Sequence, residues 1–383
     1  MKQSVSYKGK NECCGCTACM HVCPKSAITM RPDNLGFNYP YVDDALCINC
    51  GLCDKVCAFS PRSKTFQAPS VYAVRSKNQE DLEKSQSGGA FAVLSDEILK
   101  LGGVVYGAGY EEPFRVVHKR AETTEERDEF RFSKYTQSDL QDVFLSVKTD
   151  LENGRYVLFS GTSCQVAGLA SYIGTKNSER LFLMDFVCHG VAAPAVWNAY
   201  VAYLQGKNGK IVEARFRDKR FGWAEHKESF LFESGKRYAA MTYRRLFYSN
   251  AALRYCCYEC PYTNFNRCSD VTVADFWGWH KTHDEFKDNK GVSLVLLSSD
   301  KGRQLFDKIR PFVYCIESSV GECLQPPLQH PVKKSDKREA FEQDFVRHGF
   351  KYVAATYSDL SFKGKVKDML RPLFLSVKSL LRR

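Results

Sequence analysis

The sequence predicts a mixed α/β chain, α+β overall, with a small cysteine-dense domain followed by a larger domain. Three observations predict it. Nine of the 17 cysteines fall within the first 57 residues. A stretch with a proline near each end and no periodicity, residues 61–70, then interrupts the pattern. Beyond it, strand-like and helix-like segments alternate as in an α/β domain.

Length and composition bound the answer. A chain of 383 residues allows two or three domains. With 44% hydrophobic and 26% charged residues it has ordinary globular composition, which excludes wholesale disorder. There is no run of eighteen uncharged apolar residues, so no transmembrane helix is expected. The opening Met1-Lys2-Gln3-Ser4-Val5-Ser6 has no apolar core of a secretory signal, so a reducing, cytoplasmic setting is expected. Disulfides do not persist there, so a cysteine-rich chain points to metal or redox chemistry. The net charge is +11, but residues 363–383 carry seven basic residues against Asp368, leaving +6 in the tail alone. The body is only mildly basic, and no nucleic-acid partner is expected.

Within the first domain, taken as residues 1–60, two runs share one spacing. Cys13, Cys16, Cys19 and Cys23 follow C-x2-C-x2-C-x3-C, with Pro24 next. Cys47, Cys50, Cys53 and Cys57 repeat it, with Ala58 in place of the proline. This spacing resembles that of bacterial two-cluster ferredoxins. Three closely spaced thiolates reach three corners of one [4Fe–4S] cubane, and the fourth ligates the other cluster. Cys13, Cys16, Cys19 and Cys57 are then one set, and Cys47, Cys50, Cys53 and Cys23 the second. Gly15 and Gly51 keep the loops narrow. Zinc is the alternative, but its sites use four ligands in paired knuckles, and two complete runs with crossed arithmetic fit iron–sulfur better. Cys14 is left over as a bystander.

After the linker (61–70), the larger domain is expected over 71–345, with a basic tail over 346–383. Val71–Val74 reads as a strand, and Ala90–Leu101 has apolar residues at helical spacing. Val104–Tyr106 and Arg115–Val117 read as strands, and Asp139–Leu151 as a helix. Tyr156–Phe159 is a strand leading to a helix from Gln165. Leu181–Met184 and Ala195–Leu204 repeat the pair. Ser87-Gly88-Gly89 opens the helix at Ala90, where bare N–H groups and the positive end of the helix dipole suit a phosphate or a flavin edge. A plain helix cap is the alternative. Neither this turn nor Gly103-x3-Gly107-x-Gly109 is a nicotinamide fingerprint.

Six more cysteines lie between 164 and 268. Cys164 follows one strand and Cys188 another, so both are placed at the carboxyl edge of a sheet, where α/β domains gather ligands. Cys257-x2-Cys260 is a knuckle, with Cys256 beside it and Cys268 beyond. Three readings stand here: Cys164 as a nucleophile at a helix N-terminus, a structural zinc site, or a further iron–sulfur cluster.

The stretches Ser87-Gly88-Gly89, Ser133-Lys134-Tyr135, Gly161-Thr162-Ser163-Cys164-Gln165, Asp185–Gly190, Cys257-x2-Cys260 and Asp275-Phe276-Trp277-Gly278 together resemble one family. It is the beta subunit family of the coenzyme F-420 (deazaflavin) hydrogenases and dehydrogenases, some members of which carry an N-terminal two-cluster ferredoxin domain. The resemblance runs to about residue 330. It implies an FAD-binding domain with its own [4Fe–4S] cluster on Cys164, Cys188, Cys257 and Cys260. It also implies FAD contacts from Ser87, Gly88, Gly89, Lys134, Tyr135, Gly161 and Thr162. Where this chain has Ser163, the family usually has proline.

The implied activity is that of an iron–sulfur flavoprotein oxidoreductase. Single electrons on the clusters would be exchanged through FAD with a small-molecule two-electron donor or acceptor, a deazaflavin or similar. The partner expected is a ferredoxin or another oxidoreductase subunit. The alternatives are a non-catalytic electron-transfer subunit and a flavin-dependent reductase of another substrate. No general acid or base stands out, and His189 beside Cys188 reads as structural. In the tail, Val366, Met369, Leu370, Leu373, Val377 and Leu380 form an apolar stripe flanked by Lys and Arg. It suits either packing on a protein or peripheral contact with the inner membrane surface.

Overall fold

The computed structural model describes residue 5 and residues 8–60, 68–175 and 178–360. The basic stripe of 363–383 and most of the expected linker lie outside the described residues.

In the N-terminal region the one-turn helix α1 (Ala18–His21) precedes a hairpin of β1 (Ile28–Pro32) and β2 (Asn38–Val42), and a second one-turn helix, α2 (Leu52–Lys55), follows. Each helix starts from a residue in the left-handed region, Thr17 and Gly51, at φ 64° and 73°. Gly15 is also left-handed, at φ +68°. These turns let each three-cysteine loop fold back on itself.

The larger region begins with β3 (Ser70–Ser76), α3 (Gln79–Glu83) and α4 (Ala90–Lys100). There follow β4 (Val104–Glu111), β5 (Arg115–Ala121), α5 (Thr124–Asp128), α6 (Val143–Glu152), β6 (Val157–Thr162), α7 (Ser163–Ile173), β7 (Leu181–Phe186) and α8 (Pro194–Asn208). A three-stranded antiparallel sheet, β8 (Ile211–Arg215), β9 (Glu228–Phe232) and β10 (Arg237–Ala240), leads to α9 (Thr242–Tyr248). The chain closes with β11 (Val271–Asp275), β12 (Ser293–Leu297), α10 (Asp300–Ile309), β13 (Val313–Ser318) and α11 (Arg338–Tyr357).

The main sheet has eight strands in the order β13-β3-β12-β11-β7-β6-β4-β5. Four consecutive strands, β11, β7, β6 and β4, are parallel, and the pairings on either side of them are antiparallel. The mixed α/β fold is the one expected. The parallel strands put the ends of β6, β7 and β11 on one edge, so the segments carrying Cys164 and Cys188 leave the sheet side by side.

Two expected elements differ in extent. The helix expected from Asp139 starts at Val143. Asp139 instead extends the sheet edge, its N–H donating to Val116 O and its C=O accepting from His118 N. Its carboxylate also accepts from the N–H of Gln141, which is left-handed at φ 46°. At the other end, α11 crosses the expected start of the tail at 346. Phe350, Val353 and Ala354 are buried, with the Phe350 ring 5.0 Å from that of Tyr200 in α8.

The two regions share their cores. Leu35 and Phe37, from the β1–β2 turn, pack in the cluster that holds Trp197, Tyr200 and Phe230. Cys14, Cys16, Ala18 and Ala58 pack with Phe144, Phe159 and Val166 under α6 and α7. The cysteine-rich region is therefore docked on the larger one, not hung from it.

The sheet edge also buries a histidine. His118 is 3% exposed, its Nε2 3.0 Å from Ser160 O and its Nδ1 2.8 Å from Ser138 Oγ, with the ring stacked on Phe159. Burial lowers its pKa to about 4. The unfolded chain, with a histidine near 6.5, binds the proton first as pH falls, so this contribution is complete above about 6.5 and is lost toward 4. Between pH 7 and 5 the cost is about 2 kcal/mol. Denaturant titrations at the two pH values should show a pH-dependent loss smaller by about that amount in His118→Phe. An identical loss in both proteins would contradict the burial argument.

Candidate functional site

Three cavities are each lined by one set of four cysteines. The first is lined by Cys13, Cys16, Cys19 and Cys57. The second is lined by Cys23, Cys47, Cys50 and Cys53. The third is lined by Cys164, Cys188, Cys257 and Cys260. The crossed arithmetic of the N-terminal runs is thus matched in space: Cys57 joins the first run, and Cys23 joins the second. None of the 17 cysteines is in a disulfide.

The third set is assembled by the carboxyl edge of the sheet. Thr162 ends β6 and caps α7 through a reciprocal arrangement in which Gln165 Oε1 accepts from Thr162 N at 3.0 Å. This cap turns Cys164 toward the cavity, with Thr162 Oγ1 3.2 Å from its Sγ. Cys188 follows β7, and Cys257 and Cys260 come from a 3-10 turn at Tyr255–Glu259 and its end. Ser163 stands at the first helical position, where proline is also well accepted, so the family's proline would keep the turn. Here the Ser163 hydroxyl accepts from Arg267 Nη1 at 2.5 Å.

Cys14 is not a bystander. It is 3% exposed and lines both the first and the third cavity, with its thiol 3.9 Å from Cys164 O. Its thiol is also the first cause holding Cys16 down at about 7. The first and third cavities therefore share a wall. Cys256, equally buried, has its thiol against Cys257.

Burial raises the thiol pKa of Cys13, Cys19 and Cys188, and takes Cys260 up to about 12. Any metal bound there must displace those protons. Among the described residues, no three His, Cys, Asp or Glu side chains stand close enough to hold a single metal ion. The nucleophile reading of Cys164 has no base to support it. His189 shares the cavity, but its Nε2 is 2.9 Å from Asn250 Oδ1 and burial lowers its pKa.

The residues expected to contact FAD do not form one open cradle. Ser87 Oγ donates to Val292 O, and Gly88 N–H is spent on Ser293 Oγ at 2.9 Å. A side chain at Gly88 would fall on the Val74 carbonyl oxygen and lie 2.7 Å from Ser293 N. Gly88 is glycine because β3 and β12 close on it, which corrects the expectation of a bare N–H there. Gly89, at φ +89°, is the left-handed cap of α4. Gly161 and Thr162 serve the α7 cap beside the third cavity. Lys134 is not a solvated surface residue: its Nζ donates to Glu129 O at 2.6 Å, and burial lowers its pKa to about 7. Tyr135 stacks on Phe247 at 4.9 Å.

Arg254 and Arg267 went unnoticed in the sequence. Arg254 donates to Cys13 O at 2.7 Å, and Arg267 to Asp185 Oδ2 at 2.8 Å. The only signal was an arginine just before Cys256-Cys257 and another just before Cys268.

Two stretches of the chain match models of known families. Residues 12–60 match the 4Fe-4S dicluster domain, and residues 154–319 match the C-terminal region of the coenzyme F420 hydrogenase/dehydrogenase beta subunit family. Both parts of the resemblance are thereby shown, in the same order along the chain, although residues 61–153 lie in neither match. A chain of the F420-reducing [NiFe] hydrogenase complex from Methanosarcina barkeri, in a xenon derivative, is similar at 15% identity. That similarity covers 74% of this chain and 89% of that one, with a TM-score of 0.44. No curated protein sequence matches.

Docking depends on a helix-interior glycine. A side chain at Gly168 in α7 would lie 2.6 Å from Cys16 Sγ and 2.8 Å from its Cβ. Alanine favours helix by about 1 kcal/mol, yet overpacking costs about 1–3 kcal/mol. Gly168→Ala is therefore expected to lower the urea midpoint of the protein. A raised midpoint would show that the N-terminal region is not held against α7.

Proposed function

We propose that this chain is an iron–sulfur oxidoreductase subunit that carries single electrons along three [4Fe–4S] clusters and exchanges them with a two-electron carrier, coenzyme F420 or a similar small molecule. The clusters are assigned to the three sets of cysteines that line the three cavities. One observation carries this reading: each cavity is lined by a complete set of four thiols, and Cys14 lines two of the cavities at once. Adjacent clusters sharing one wall form a continuous path for electrons.

The protein's own residues supply what such a path needs. Left-handed Gly15 and Gly51 close the loops around the sulfurs. The Thr162 cap fixes Cys164, and the shared cores hold the first and third sets at constant separation. Apolar packing by Phe144, Val166 and Ala58 keeps water from the inner pair.

FAD, when bound, would supply the step between single electrons and electron pairs. The resemblance supports that cofactor, whereas the Ser87–Gly89 turn does not fit a phosphate cradle, so no step is placed there. Without FAD, the same clusters describe an electron-transfer subunit serving a partner oxidoreductase.

Anaerobically purified protein is expected to contain about twelve iron and twelve acid-labile sulfide per chain, four of each per cluster. Cys164→Ser should reduce both to about eight. Eight in the parent protein would remove the third cluster. In the same sample, FAD released on denaturation at about one per chain supports the flavin-linked enzyme; its absence, with the iron retained, leaves the electron-transfer subunit.

Peripheral membrane contact is proposed for the basic tail. Among the described residues no helix is long and apolar enough to cross a membrane, but a net charge of +6 beside an apolar stripe suits an anionic surface. Association with anionic vesicles should weaken as salt rises and disappear on deleting 363–383. Equal binding by both proteins would leave the tail without this role.

A further inference from the structure

Six arginines are buried among the described residues: Arg75, Arg127, Arg217, Arg254, Arg267 and Arg338. Five have a carboxylate partner. Arg75 pairs with Asp288, Arg127 with Asp96, Arg217 with Asp275, Arg267 with Asp185 and Arg338 with Glu342. Arg254 has none, although it is 0% exposed. Its Nε donates to Cys13 O at 2.7 Å, its Nη1 to Gln137 Oε1 at 2.8 Å and its Nη2 to Asn38 O at 2.8 Å. Its remaining side-chain hydrogen bond is to sulfur: Nη2 is 3.7 Å from Cys13 Sγ. Burying a cation among neutral acceptors alone is expensive, so a compensating negative charge is required nearby.

The surroundings are shaped to this guanidinium. A side chain at Gly15 would lie 3.0 and 3.1 Å from its two terminal nitrogens, so the loop between Cys13 and Cys16 admits it only as glycine. The Tyr39 ring faces it, 4.2 Å from the guanidinium carbon. Gln137 holds it from the other side while donating to Cys14 O at 2.7 Å. The other cations near the first set have carboxylate partners: Lys10 reaches Asp33 at 3.1 Å, and Lys8, which also bonds Cys57, reaches Asp54 at 3.2 Å.

We infer that Arg254 is the counter-charge of the cluster on Cys13, Cys16, Cys19 and Cys57, and that it raises the reduction potential of that cluster above that of the cluster on Cys164, Cys188, Cys257 and Cys260. This rests on the three-cluster reading given above. A [4Fe–4S]2+ core with four thiolates carries −2 and becomes −3 on gaining one electron. A fixed buried cation stabilises the second state more than the first, and cluster potentials respond to local charge and to hydrogen bonds at sulfur. Beside the third set the cation is Arg267, whose charge is cancelled by fully buried Asp185. Arg254 lines the third cavity as well, but its donors are directed at Cys13. An electron shared by the inner pair therefore rests on the N-terminal side.

The test is an EPR-monitored redox titration of the full chain with dithionite as the one-electron source, after iron has been counted. Arg254→Met should lower the reduction equilibrium constant of one cluster at least tenfold, about 59 mV for a one-electron couple. Arg254→Lys, which keeps the charge, should lower it less than threefold. Cys57→Ser, which alters a ligand of the first set, marks the signal that must move. The inference is overturned if Arg254→Met leaves every couple within twofold, if the shift falls on another cluster, or if the lysine variant shifts as far. If Arg254→Met fails to retain iron, the parent protein decides. Of the first-set and third-set clusters, marked by Cys57→Ser and Cys164→Ser, the first must be reduced before the third, and the reverse order overturns the inference. A parent protein with fewer than three clusters is a different failure, visible in the iron count, and removes the underlying reading along with this one.

Discussion

Cys16 reaches α7 at a residue that has no Cβ, and the relation between the two regions depends on that approach. Gly168 lies mid-helix, where glycine costs about 1 kcal/mol relative to alanine. The cost is offset by what the close approach permits. Cys14, Cys16 and Ala18 join a core with Phe144, Phe159 and Val166. The same helix carries Cys164 in its first turn. One rigid element thus holds a cysteine of the third set and forms the floor under the first. Had the cysteine-rich region been tethered only through 61–70, the two sets would have no fixed separation.

Electrostatics add a second constraint. Docking strips water from thiols and from Arg254 together. The thiols respond by holding their protons more tightly, as for Cys188 and Cys260. Arginine cannot respond by losing its proton. Metal binding, by displacing those protons, supplies the missing negative charge. The region thus favours its loaded state, with the folding of the docked interface and the filling of the cavity linked.

Much of this was legible in the sequence, for reasons that differ by feature. The first two sets follow from the resemblance of their spacing to two-cluster ferredoxins, in which a tight loop presents three sulfurs to one cubane and the fourth to the other. The α/β alternation through α8 was readable from periodicity, since parallel strands buried on both faces read as short apolar runs. The convergence of Cys164 and Cys188 followed from the carboxyl-edge rule. The role of Gly88 was not legible. A glycine that frees an N–H for a ligand and a glycine that admits a neighbouring strand look alike in one dimension, and here Val74 and Ser293 decide for packing. Nor were the positions of Cys14 and Arg254, whose meaning comes from contacts 241 residues apart in sequence for Arg254 and Cys13.

Exposure grades the three sets in a way that fits a relay. In the second set Cys50 is exposed, and Leu46, Ile48 and Leu52 around it are among the exposed large apolar residues of the chain. The first set lies under the interface, with Cys16 buried and the rest half-buried. No cysteine of the third set is exposed. Under the proposed function, an external one-electron carrier would therefore meet the second set first, through exposed Cys50.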